Sequence, residues 1–117
     1  MTPAAIKPLV HASVLEQIDV RVGTIERVEE VPSSRKLVKL TVDFGDHTRS
    51  VLAGLKSERA DPSELTGRQA LFVVNVEPRR MAGEVSEGMF FDIGYADGIT
   101  PVLAVPEARV PNGARAG

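Results

Sequence analysis

A chain of 117 residues is long enough for one domain with its own core and too short for two. Sixteen acidic against fourteen basic residues give a net charge of -2, so any nucleic acid must be held by a local patch rather than by bulk charge. The absence of cysteine excludes disulfides, thiolate zinc sites and a cysteine nucleophile, and fits a cytoplasmic address.

The N-terminal stretch "MTPAAIKPLVHASVL" has one lysine and two prolines but no uninterrupted apolar run, and reads as a flexible tail over residues 1–12 rather than a signal peptide. "SVLEQI" follows with Ser13 as a helix N-cap and Glu16 at capping-box spacing, which predicts a short N-terminal helix. The rest, residues 13–117, forms the folded domain. In "DVRVGTIERVEEV" the β-branched alternation changes phase at Gly23, so that Ile25 points away from the face of Val20 and Val22; such a glycine marks a bulge or sharp bend.

"LVKLTVDF" alternates cleanly and puts Val38, Leu40, Val42 and Phe44 on one side. The Gly-Asp of "FGDH" turns the chain into a third strand, "TRSVLAGL". In "DPSELTG" Asp61 caps a helix of one or two turns, Pro62 opens it and Gly67 stops it. "QALFVVNV" is apolar on both faces, as a central strand is; it is the longest apolar run, is interrupted by Asn75, and is far short of the roughly 20 residues of a membrane span. "EGMFFDIGY" is a fifth strand, "ITPVLAV" an edge segment, and "VPNGARAG" ends the chain with turn chemistry. The pattern describes an all-β protein: a five-stranded OB-fold Greek-key barrel, ahead of other small barrels, with one short helix between strands 3 and 4.

Catalytic chemistry is not supported. His11 in the tail and His47 in a turn are read as solvent-exposed, and neither has a companion at metal-ligand spacing. Glu29 and Glu30 point to opposite faces of their strand. "GEVSEG" has Gly-x4-Gly spacing but is followed by Met89 and Phe90 instead of Lys-Ser/Thr. No catalytic residue, metal or cofactor is expected.

Binding chemistry is better represented. Arg35, Lys36, Arg49, Lys56, Arg59, Arg79 and Arg80 fall in loops or near strand ends, and the planar fork of arginine suits phosphate. With Phe44, Phe72 and Phe91 assigned to the core, only Phe90 and Tyr95 are left for base stacking, so RNA recognition would lean on shape, backbone and a few splayed bases. Asn75 and Ser86 each have two readings: a side chain that ties down its neighbourhood, or one offered to a ligand at the barrel mouth. Met81 and Met89 either fill core gaps or supply an adaptable contact surface.

The segments "DVRVGTI", "VPSSRKL", "VLAGL", "LTGRQALFVVNVEPRRMAGEVSEGM" and "VPNGAR" together resemble the tRNA-binding domain family. That family includes C-terminal appendages of methionyl-tRNA synthetases, stand-alone structure-specific tRNA-binding proteins and CsaA-type secretion chaperones. The resemblance implies an OB-fold and a homodimer joined through elements near the termini. Lys36, Asn75, Arg79, Arg80, Ser86 and Met89 match its contact motifs; Arg35 adds charge beside Lys36 where the family commonly has an acid, and Glu77 weakens the patch where many members have lysine. The intact "SEGM" and the strand "RSVLAGL" sit closer to the tRNA binders than to the chaperones. The resemblance therefore implies a non-catalytic tRNA-binding homodimer acting in trans, with an aminoacyl-tRNA synthetase as a further partner. The second implied role is a chaperone holding extended preprotein peptides in the same groove.

Overall fold

The computed structural model describes residues 4–117; of the expected tail, Met1 to Pro3 lie outside the described residues. Residues 4–10 form neither helix nor strand. The expected N-terminal helix is a 3-10 helix over Ala12–Gln17, and its cap is His11 rather than Ser13: the ring Nδ1 of His11 accepts from the Ser13 amide at 3.1 Å. An imidazole two residues upstream does here what the serine hydroxyl was expected to do.

Ten strands follow in chain order: β1 (Val20–Glu30), β2 (Val38–Asp43), β3 (Thr48–Ala53), β4 (Gln69–Val73), β5 (Arg79–Met81), β6 (Glu84–Ser86), β7 (Met89–Phe90), β8 (Asp92–Ile93), β9 (Val102–Leu103) and β10 (Arg115–Ala116). Antiparallel β3, β2, β1, β4 and β7 form a nearly closed five-stranded barrel, an OB-fold, and β10 adds to the start of β1. β1 makes this possible by changing partners. Residues 20–24 pair with β4 and residues 24–30 with β2.

The bend at that exchange is where the phase of the sequence changes. Its bulge, however, falls between Ile25 and Arg27, two residues beyond the expected glycine. Gly23 serves the packing instead. A Cβ there would stand 2.5 Å from Val42 and 2.8 Å from Phe44, so its missing side chain lets the two core residues pack on the strand. Ile25 joins Val38, Leu40, Val42, Phe44, Val51, Leu55, Leu65 and Phe72 in the core, while Val22 is buried on the other face. Between β3 and β4, Asp61 caps the 3-10 helix Pro62–Leu65 and plugs Leu65 into the barrel, completely buried.

Two expectations fail in the last third of the chain. The fifth strand is not continuous: it breaks at Phe91, β7 pairing with β4 and β8 with β9. The break reverses the two phenylalanines. Phe90 packs on Phe72, ring centres 5.8 Å apart, whereas Phe91, assigned to the core by alternation, is exposed. Among the described residues no helix is long and apolar enough to cross a membrane.

Candidate nucleic-acid interface

The connection from β4 to β7, "NVEPRRMAGEVSEGM", is a hairpin rather than a loop. β5 and β6 pair through a two-residue turn in which Ala82 and Gly83 both have positive φ (52° and 81°), the geometry of the tight turns that match strand twist. No Asn-Gly or Asp-Gly announces it, which is why the sequence pattern does not find it.

The hairpin is fastened to the barrel by side chains at its C-terminal end. The Ser86 hydroxyl accepts from the Leu52 amide and donates to the Gly88 carbonyl, both at 3.0 Å. The Glu87 carboxylate accepts from the Ser50 amide at 3.0 Å while its own amide donates to the Ser50 carbonyl at 2.7 Å. Ser86 and Glu87 thus close the barrel against β3 where no regular ladder forms. Arg49 reinforces this: one guanidinium nitrogen donates to the carbonyls of Val74 and Glu87, each at 3.1 Å. Asn75 is engaged on the opposite side, accepting from the Asp19 amide and donating to the Gln17 carbonyl, both at 2.7 Å. The polar groups of Ser86, Arg49 and Asn75 therefore hold the shape of the barrel mouth.

The remaining cations stand elsewhere. The loop between β1 and β2 is set by the Ser34 hydroxyl, which accepts from the Lys36 and Leu37 amides, and by Lys56, whose ammonium donates to the carbonyls of Val31 and Ser34 and pairs with Glu30. Ser33 then donates to the Ala82 carbonyl at 2.9 Å, tying this loop to the tip of the hairpin. That bond, with the Lys39–Glu84 ion pair at 3.2 Å, sets the loop that carries Arg35 and Lys36 beside the hairpin that carries Arg79 and Arg80. All four are exposed, and none has an acidic side chain within ion-pair distance among the described residues. Lys56 and Arg59, also candidates by sequence, are paired with Glu30 and Glu64 and half-buried, so they belong to the scaffold.

Below the hairpin lies a cavity of about 240 Å³ between the end of β3, residues 76–81 and residues 86–92. Its walls are apolar at Leu52, Leu55, Met81 and Phe90, with Met89 exposed at the rim. Glu77, Arg79 and Asp92 supply its charged groups. Asp92 was not legible as a site residue, because it enters the cavity only through the break at Phe91. Its neighbour Glu58 has its pKa raised, first by burial, then by the Asp92 charge and a hydrogen bond to it. Among the described residues no group of three or more histidine, aspartate or glutamate side chains is placed to hold a metal ion.

An OB barrel with unpaired cations on a loop and on the hairpin beside it, next to a small cleft, has the features of a nucleic-acid-binding class of module. Residues 20–115 match the family described as "Putative tRNA binding domain", and the chain belongs to that family. It is 36% identical over 96 residues to the methionine–tRNA ligase of Methanocaldococcus jannaschii, and spans 15% of that protein's length. Among solved structures it is similar to a MetRS related protein from Pyrococcus horikoshii (32% identity, TM-score 0.86, 95% of this chain and all of that one). It is also similar to chaperone CsaA from Bacillus anthracis (29% identity, TM-score 0.82, 94% of this chain and all of that one).

Proposed function

We propose that the protein is a non-catalytic, structure-specific tRNA-binding module that acts as a cytoplasmic homodimer, alone or beside an aminoacyl-tRNA synthetase. The observation that carries this reading is the set of four unpaired cations, Arg35 and Lys36 on a loop and Arg79 and Arg80 on the hairpin joined to it by the Ser33–Ala82 hydrogen bond. Folded RNA presents phosphates at fixed spacing, and a cation-bearing loop and hairpin tied together read that spacing rather than sequence. Met89 contributes apolar contact at the rim, while Asn75, Arg49 and Ser86 keep the mouth in shape.

Dimerisation is supported by apolar surface on elements near both ends of the chain. Ile6 and Leu9 are 94% and 96% exposed, and Phe91, Ile93, Val102 and Val105 are exposed at β8, β9 and their flanks. A two-fold pairing through these surfaces doubles the basic patch, so local cation density rather than net charge sets affinity. Gel-shift titration of unfractionated tRNA at two salt concentrations tests the reading, with sedimentation equilibrium for the dimer. Binding that is insensitive to salt, or unchanged by Lys36→Ala with Arg79→Ala, contradicts it.

A second reading rests on the apolar walls of the cavity and the thioethers of Met81 and Met89. A cleft so lined also suits an extended, partly apolar peptide, which makes export chaperoning the alternative. Suppression of aggregation of an unfolded protein at stoichiometric amounts, competed by peptide and not by tRNA, would favour it.

A further inference from the structure

The free cations Arg35, Lys36, Arg79 and Arg80 explain attraction for phosphate, but the cleft that Arg79 borders also carries two carboxylates. Glu77 and Asp92 line it, and neither has a cationic partner within ion-pair distance among the described residues. A phosphate entering there would meet two carboxylates. Such acceptors bind groups rich in N–H donors, charged or neutral, and apolar walls bind a flat or aliphatic body. At about 240 Å³ the cavity is smaller than the roughly 300–1,000 Å³ clefts of drug-sized ligands, which limits the occupant to a single ring system.

We infer that this cleft receives one unpaired guanine base of the bound RNA, its Watson–Crick edge donating to the carboxylates of Glu77 and Asp92 while Arg79 stays on the adjoining phosphate. The inference rests on the tRNA-binding reading and adds a base to it. Guanine alone among the four bases offers N1–H and a 2-amino group side by side, matching the paired oxygens of a carboxylate. Adenine and cytosine offer a single amino group at that edge, and uracil one N–H between two carbonyls that a carboxylate repels. Phe90 and the thioethers of Met81 and Met89 provide the polarisable surface on which the ring rests. A base in a helix cannot present that edge, so the ligand is a loop or end nucleotide.

The test uses the full chain and unstructured RNA pentamers that differ only in the central base, read by fluorescence anisotropy beside unfractionated tRNA. The guanosine pentamer binds about tenfold tighter than the uridine one, the size expected for a good paired contact. Replacing guanosine by inosine, which lacks the 2-amino group, removes most of that preference in the wild-type protein and needs no variant to fold. Within Glu77→Gln and Asp92→Asn, the guanosine-to-uridine ratio falls toward one; a merely electrostatic role would tighten all four pentamers alike and leave the ratio unchanged, which overturns the assignment. Equal binding of the four pentamers with tRNA still bound overturns the base site and leaves the tRNA reading intact. Binding of an apolar decapeptide with no binding of tRNA or any pentamer overturns both.

Discussion

At the start of β1 the strand's own charges are paired: Arg21 and Arg115 both donate to the Asp19 carboxylate, at 2.7 and 3.2 Å. Alongside, Asn112 accepts from Thr24 and Gln69 and donates to Asp43, and Gln69 exchanges hydrogen bonds with the backbone of Val110. Past the other end of β1, Arg35 and Lys36, with Arg79 and Arg80 on the hairpin that Ser33 touches, have no such partners. The polar residues of both regions are similar in kind. What differs is whether the chain supplies their counter-groups, and that difference separates a seal that holds the fold from a surface left for a ligand.

Breaking the seal should cost the most. Gly113 has φ of +89°, donates its amide to the Val22 carbonyl at 2.7 Å, and lies so close that a Cβ would overlap the Phe44 carbonyl oxygen. Gly113→Ala combines backbone strain with that overlap, and urea denaturation should show a loss of about 3 kcal/mol. The tRNA affinity of the folded fraction should not change. A large loss of affinity at unchanged stability would mean that the seal, too, faces the ligand.

Ser86→Ala is expected next. It leaves the Leu52 amide without its acceptor in a buried position, for about 2 kcal/mol in the same assay. The resemblance put Ser86 on the contact surface; an effect confined to stability would assign it to the barrel's closure instead. Lys36→Ala with Arg79→Ala is the mirror image. Stability should stay within about 0.5 kcal/mol, while the salt dependence of tRNA binding becomes shallower by about one charge per removed cation.

The sequence makes the barrel legible but not its rim. β2 shows its inward face because its alternation is unbroken, and the capped turn at Asp61–Gly67 shows itself because its residues are chosen for local geometry. The hairpin β5–β6 is invisible to the same reasoning: its strands have three residues each, and its turn uses Ala-Gly. The exchange of Phe90 and Phe91 has one cause, a strand that changes partner after two residues, so that alternation fails where tertiary pairing takes over. For the site, residue type placed Arg35 and Lys36 in a loop, as they are, but Arg79 and Arg80 stand in strand β5 of a hairpin. Residue type could not separate Arg49, committed to two carbonyls, from Arg79, committed to nothing, because both are arginines beside a strand end.

Asp19 and Glu58 sharpen the contrast through pH. The hydrogen bond from Arg21 is the main cause holding the Asp19 pKa below its ordinary 3.8, with Arg115 adding to it. The ionised form is the one the fold favours, so its contribution is full above the unfolded value and is lost as pH falls through the lowered one. Asp19→Ala should cost about 1 kcal/mol at neutral pH, as an exposed pair does, and the difference from wild type should shrink below pH 4.

Glu58 runs the other way and gives the smallest effect. Its folded pKa is raised above 4.5, so the folded protein binds a proton more readily than the unfolded chain and loses stability as pH rises through that window. Glu58→Gln keeps the donor toward Asp92 and removes the charge that repels it. Denaturation midpoints of the variant and the wild type should coincide near pH 4 and separate slightly, in the variant's favour, at pH 7. A variant less stable than the wild type at pH 7 would show that an ionised Glu58 has a partner at the cleft, and that the cleft is sealed by its own chain in the way the start of β1 is.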